Sequence, residues 1–173
     1  AMAEAAEATG GSMAAIIGSD NETIAKVCEE VNGFCAPANY NSPQQTVIAG
    51  ESAAIDEAVA KFAEMGKRAV KLAVSAAFHT KLMAGAAEKF KGEIAGFPFK
   101  APNCDFYSNL YGRKLDDFSD MPSYLAAHIC SPVKFVDELS AMQSAGIEAY
   151  VELGPGKVLT CLLYTSPSPR DRT

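Results

Sequence analysis

Residues 12–74 switch repeatedly between the two-residue period of a strand and the 3.6-residue period of a helix, and few folds accommodate the order in which they do so. Residues 12–18, Ser-Met-Ala-Ala-Ile-Ile-Gly, read as a buried strand. Ser19-Asp20-Asn21-Glu22 has the form of a capping box and opens a helix with Ile24, Val27, Cys28 and Val31 on one face, closed by Asn32-Gly33. Residues 35–40 and 45–49 read as two strands around the turn-forming cluster Asn41-Ser42-Pro43-Gln44. A second helix follows Gly50-Glu51-Ser52, turns Ile55, Ala58, Val59, Phe62 and Ala63 inward and stops at Gly66. Residues 70–74 form the last strand of the set.

Strand, helix, strand, strand, helix, strand is the split βαβ, ferredoxin-like arrangement, complete within residues 12–75. Residues 1–11 read as the end of a truncated helix or a linker, with Gly10-Gly11 closing it. Residues 76–162 alternate helix and strand as α/β layers do. They hold a helix over 81–97, a strand over 104–109 and a short helix opened by Asp120-Met121-Pro122 and leading to His128. A helix then buries Phe135, Val136, Leu139 and Met142, a strand covers 148–153, and another helix begins at Val158. Residues 163–173 are polar and proline-rich, and are expected to be a non-native or disordered tail.

RNA-binding domains share the βαββαβ order, but these strands lack the clustered aromatics that stack bases. The net charge of -6 also opposes a nucleic-acid partner, which calls for a basic stripe. No apolar run is long enough for a membrane span and no secretory signal opens the chain, so a cytoplasmic protein is expected. The five cysteines show no CxxC pair and no metal-ligand spacing with histidine, so reduced thiols and no metal site are expected. Gly154-Pro155-Gly156-Lys157 is not a phosphate loop: Val151 stands where its first glycine belongs and Val158 where Ser or Thr is required.

The chemistry-bearing candidate is His79. The apolar run 70–74 breaks into Ser75-Ala76-Ala77 and delivers Phe78 and His79 to the start of the helix, a junction where a rigid scaffold can present a functional group. A neutral imidazole there can take a proton from a hydroxyl or thiol and return it. A half-buried histidine that fills space is the plainer reading. Asn39, Asn41 and Gln45 either satisfy backbone groups around their turn or line a pocket, and His128 suits the negative end of a helix.

Four motifs carry a resemblance. Asn39-Tyr40-Asn41-Ser42-Pro43-Gln44-Gln45-Thr46-Val47-Ile48-Ala49-Gly50, Ala77-Phe78-His79-Thr80-Lys81-Leu82-Met83, Ser131-Pro132-Val133-Lys134-Phe135 and Glu152-Leu153-Gly154-Pro155-Gly156-Lys157-Val158-Leu159 resemble, in order and spacing, malonyl-CoA:acyl carrier protein transacylases. The resemblance implies a ferredoxin-like small lobe and part of a hydrolase-like α/β large lobe. It implies ping-pong transfer of malonyl from coenzyme A, through a seryl ester, to the phosphopantetheine thiol of acyl carrier protein, with no cofactor of the enzyme's own.

By that resemblance His79 is the general base and the backbone carbonyl of His128 orients it. Glutamine is usual at the latter position, and a main-chain role tolerates the change. Asn39, Asn41 and Gln45 line the cleft, and Phe78 restricts room beside the α-carbon of the acyl group. The family's Gly-His-Ser-Leu-Gly nucleophile elbow does not occur in the sequence. The chain is therefore expected to be the carboxy-terminal side of such an enzyme, inactive alone and monomeric when complete. The acyltransferase domain of a polyketide synthase and a non-catalytic carrier-protein docking module are the rival expectations.

Overall fold

The computed structural model describes residues 10–165. The described chain alternates helix and strand, an α/β arrangement. Its centre is β1 (Gly11–Ile17), which pairs antiparallel with two neighbours and buries both faces. Alternation along the strand divides the work: Ala14 and Ile16 point to one side, Met13 and Ala15 to the other. Two cores grow from this division.

On the first face lie α1 (Asn21–Glu30) and α2 (Ser52–Glu64). Ile24, Val27 and Cys28 of α1 and Ala54, Ile55, Ala58 and Phe62 of α2 close over Ala14, Ile16 and Ile48. The sheet contains β2 (Cys35–Ser42), β3 (Gln45–Glu51) and β4 (Arg68–Lys71) in the order β2-β3-β1-β4, each neighbouring pair antiparallel. Gly50 is forced at the end of β3, where a Cβ would lie 2.0 Å from the Phe34 carbonyl oxygen.

Met13, Ala15, Val47 and Ala49 on the second face pack against Ala77, with Phe78 and Leu82 partly buried beside them. A short 3₁₀ turn, Lys81–Met83, leads into α3 (Ala84–Ile94). The turn and the helix pack on α4 (Met121–Cys130), Met83 of the turn and Ala86 and Ala87 of α3 meeting Ala126 and Ile129. In the chain between the two helices comes a small hairpin of β5 (Tyr107–Ser108) and β6 (Arg113–Lys114). α5 (Phe135–Ser144) contacts β2 and β6, and α6 (Val158–Tyr164) ends the described chain.

Several boundaries differ from the sequence reading. Gly11 belongs to β1 rather than closing a helix, and residues 1–9 lie outside the described residues. The α1 cap is Asp20, whose carboxylate accepts from the Thr23 amide at 2.8 Å, while the Ser19 hydroxyl is buried without a partner among the described residues. β4 starts at Arg68 and Val74 is 39% exposed, because the edge strand follows β1 only as far as the Leu72 amide, which donates to the Met13 carbonyl at 2.9 Å. The helix expected over 81–97 begins with a 3₁₀ turn and stops at Ile94.

The two outer strands fare differently. The strand expected over 104–109 shrinks to β5. Residues 148–153 form none, leaving Val151 and Leu153 at 79% and 91% exposed. A strand persists only where a neighbour takes its backbone hydrogen bonds, and among the described residues none lies alongside 148–153. Glu152 instead turns its carboxylate to the start of α6, accepting from the Leu159 and Thr160 amides at 3.1 and 3.0 Å. Leu163 and Tyr164 continue that helix, and residues 166–173 lie outside the described residues.

α5 also buries a charge-bearing group. Glu138 is 7% exposed, its Oε2 has no hydrogen-bond partner among the described residues, and burial pushes its carboxyl up to about 7. The unfolded chain releases this proton near 4.5, so between that pH and about 7 the folded state holds a proton that the unfolded state does not. Stability should therefore fall as pH rises through that window. Glu138→Gln is expected to remove this slope and to raise stability above it by up to about 3 kcal/mol, measured by urea denaturation across pH.

Candidate active site

The turn that carries His79 is tied at both ends. Ala76 and Ala77 are fully buried, and the Thr80 hydroxyl donates to the Ala77 carbonyl at 2.7 Å. The Thr80 hydroxyl oxygen then accepts the Leu82 amide at 3.3 Å, and the Thr80 carbonyl accepts the Met83 amide at 3.0 Å. Between these ties His79 adopts φ 60, alone in the left-handed region among the non-glycine residues described. Such a conformation costs roughly 1 kcal/mol or more and persists only where the surroundings impose it. β1 passes close enough that a Cβ on Gly11 would lie 2.6 Å from the Ala77 nitrogen.

What holds the ring is the end of α4. Ser131 is extended ahead of Pro132, so the helix stops there. The residue four beyond His128 is Pro132, which has no N–H, and the His128 carbonyl is left without an intrahelical donor. The Ile129 carbonyl loses its donor differently, because the Val133 amide goes to the Ala38 carbonyl at 2.8 Å. His79 takes both vacancies: its amide donates to the Ile129 carbonyl at 3.1 Å, and its ring Nδ1 lies 3.1 Å from the His128 carbonyl oxygen.

A carbonyl only accepts, so the neutral ring must carry its proton on Nδ1 and present Nε2 as an acceptor. That tautomer is the one a general base requires. The His128 ring stands edge-on to His79, with centroids 6.1 Å apart, and next to Tyr124 at 6.2 Å. Burial, and then the neighbouring His79, hold the His128 imidazole below its ordinary value, so it stays neutral near pH 7. Its contribution to His79 here is a main-chain oxygen.

The polar candidates gather on the same face of the sheet as Ala77 and Phe78. Asn39 pairs with Val47, and Gln45 pairs with Ile17 in the same odd-numbered row. Irregular registers between Pro37 and Asn39 and between Tyr40 and Ser42 bend β2 at this point. Asn41 donates from Nδ2 to Gln45 Oε1 at 3.1 Å, so part of their hydrogen-bonding capacity is spent on each other. Asn39 meets Val133 across an isolated parallel bridge, which joins the strand to the segment just past α4. Phe78 packs into both the sheet core and the α3–α4 core, and is only partly exposed. No group of three or more His, Cys, Asp or Glu among the described residues is placed to hold a metal ion. No described helix is long and apolar enough to cross a membrane.

Over residues 1–166 the sequence matches the acyl transferase domain. The chain belongs to the acyl transferase domain family. It is 39% identical over 164 residues to the malonyl CoA-acyl carrier protein transacylase of Escherichia coli K12, covering 93% of this chain and 53% of that protein. A solved malonyl-CoA:acyl carrier protein transacylase from Xanthomonas oryzae pv. oryzae is 40% identical and superimposes with a TM-score of 0.89 over 95% of this chain and 53% of its own. A malonyl-transacylase solved in complex with the acyl carrier protein of a type II polyketide synthase is 32% identical, with a TM-score of 0.87 over 94% of this chain and 55% of its own. This acyl transferase chain thus spans about half the length of the relatives it matches.

Thr80, Gly11 and the Ile129 carbonyl also shape this candidate site, and none of them is among the residues that the sequence singles out. Thr80 had a visible signal, a cap residue directly before a helical pattern. Two expectations follow. Nitrogen-15 spectra of the imidazoles above pH 7 should show His79 as the Nδ1–H tautomer, and the mixture typical of free imidazole would contradict the bond to His128. Gly11→Ala should cost about 1–3 kcal/mol of stability in urea titrations, since the added carbon meets backbone that cannot swing aside.

Proposed function

We propose that this chain supplies the carboxy-terminal side of a malonyl-CoA:acyl carrier protein transacylase, with His79 as its general base. The carrying observation is the ring held by the His128 carbonyl, which leaves Nε2 free to accept a proton. In the forward half-reaction Nε2 takes the proton of a serine hydroxyl as its oxygen attacks the malonyl thioester carbonyl. The bond to sulfur breaks and coenzyme A leaves as the thiol, taking that proton. In the second half His79 deprotonates the phosphopantetheine thiol of acyl carrier protein, whose sulfur attacks the seryl ester; the acyl C–O bond breaks and the serine oxygen leaves with the proton returned by His79.

The positions of the remaining candidates support roles for them in the same reading. Asn39, Asn41 and Gln45 offer amides along one side of the cleft, and the Phe78 ring limits space beside the α-carbon in favour of malonyl. We assign the antiparallel β2-β3-β1-β4 unit as the ferredoxin-like small lobe, on the strength of its strand order. Residues 76–162 then belong to a hydrolase-like large lobe. This reading needs no cofactor beyond the acyl thioesters, and takes the complete enzyme as cytoplasmic and monomeric.

The sequence holds no Gly-His-Ser-Leu-Gly, so this stretch of chain has a base without its nucleophile. The exposed side chains of Val151, Leu153, Val158 and Leu159 support a larger protein lying over that end of the fold. Because one matched relative is seen with a polyketide synthase carrier protein, a carrier of that kind is the second candidate partner. The 173 residues alone are expected to show no malonyl transfer to carrier protein. Joined to the amino-terminal half of a related transacylase they should transfer, and His79→Ala should then lower kcat by about 10²–10⁴-fold with carrier-protein binding retained. Unchanged transfer in that variant would overturn the assignment and leave a docking module as the better account.

A further inference from the structure

The buried core between α1 and the sheet contains two thiols in contact. Cys28, in the last turn of α1, and Cys35, the first residue of β2, have their sulfurs 3.3 Å apart and are 4% and 8% exposed. Neither takes part in the proposed transfer chemistry, because both lie on the helix-covered face while Ala77 and Phe78 lie on the other. We propose that Cys28 and Cys35 are a redox modification site that closes to a reversible disulfide.

The geometry asks little. A disulfide holds its sulfurs at about 2.05 Å, so closure shortens the present separation by roughly 1.2 Å, shared between two side chains. The connection between the two elements is only residues 31–34, which keeps the thiols together at little entropic cost. It contains Gly33 at φ 97 and the exposed Asn32, and is the natural place for the core to open to a small oxidant. The pair also has a direction. The Cys35 S–H donates to the Cys28 sulfur, which holds the Cys28 thiol below its ordinary value, while the same bond and burial push Cys35 up. Cys28 is therefore the attacking sulfur.

With hydrogen peroxide as oxidant the steps balance. The Cys28 thiolate attacks the peroxide, the O–O bond breaks, and after proton uptake water leaves, giving a sulfenic acid on Cys28. The Cys35 sulfur then attacks the Cys28 sulfur, the S–O bond breaks, and the thiol proton leaves with the hydroxide as a second water. Two thiols are oxidised to one disulfide and one peroxide is reduced to two waters. Cys104 and Cys161 are more exposed, but exposure without a neighbouring thiol leads to oxyacids or links between molecules rather than to this bond.

The test uses the full 173-residue chain, both as it stands and with Cys104→Ser, Cys130→Ser and Cys161→Ser together. Each is treated with hydrogen peroxide under native conditions, then denatured, alkylated and digested. Residues 27–61 form one tryptic peptide that holds both Cys28 and Cys35 and no other cysteine. The expected result is that this peptide loses two hydrogens and takes no alkyl group. Further cleavage after Glu30 should leave two pieces joined until a reductant is added. Recovery of Cys28 and Cys35 separately alkylated, or as unlinked oxyacids, overturns the proposal. Equilibration with glutathione tests the fold's part in it: the native chain should hold the bond at a lower ratio of oxidised to reduced glutathione than the urea-unfolded chain. The reverse order would show that the native geometry opposes the bond, and also overturns the proposal.

Discussion

The carbonyl of His128 cannot be satisfied inside its own helix, because the residue four positions on is a proline. In a helix end open to water this costs little, since solvent takes the oxygen. Here the end faces the turn at 77–80, and the oxygen is given a histidine ring instead. Much of the second face depends on that exchange. It fixes the tautomer of His79, and with the Ile129 carbonyl it explains how a residue with a side chain is kept at φ 60. It also frees the backbone after the helix, so that Val133 can pair on both sides with β2, accepting from Tyr40 at 2.8 Å and donating to Ala38 at 2.8 Å. One proline thereby couples His79 to the strand carrying Asn39 and Asn41.

An orienting carbonyl differs from an orienting carboxylate in what it permits. A carboxylate beside the ring adds a full charge, and its removal changes both alignment and electrostatics. A main-chain oxygen contributes direction and a partial charge, and no side-chain substitution removes it directly. This is why histidine at position 128 is compatible with the site: its ring, kept neutral by burial, packs edge-on against His79 and Tyr124 while the oxygen does the orienting.

The βαββαβ order could be read from periodicity because each helix shows a one-sided apolar stripe and each strand is short and bounded by turn residues. His79 could be read because a break from Val74 into Ser75, Ala76 and Ala77 announces a junction. The pairing of His79 with His128 lies beyond periodicity. Pro132, four residues after His128, signals a freed carbonyl but not which donor will find it, and the expectation that His79 does so comes from the family resemblance alone. Residues 148–153 show the opposite failure: alternation and apolar content favour a strand, yet pairing is a property of neighbours, and none is alongside. Glu138 was invisible for a third reason, since its position on the buried side of α5 is set by packing on β2 and β6 rather than by its own helix.

The two faces of β1 serve different demands. The helix-covered face is closed by long apolar side chains and by the Cys28–Cys35 contact, and it bears most of the small unit's burial. The opposite face is lined by Met13, Ala15, Ala38, Val47 and Ala49, mostly small residues, and small residues let the 76–80 backbone come close. Gly11 is the limiting case, where even a methyl group would meet Ala77. A site pressed this closely onto a sheet inherits the sheet's rigidity, so the strain at His79 is held by a core on the far side that takes no part in chemistry. Changes to that core, a disulfide included, can then alter stability while leaving the geometry around Nε2 in place.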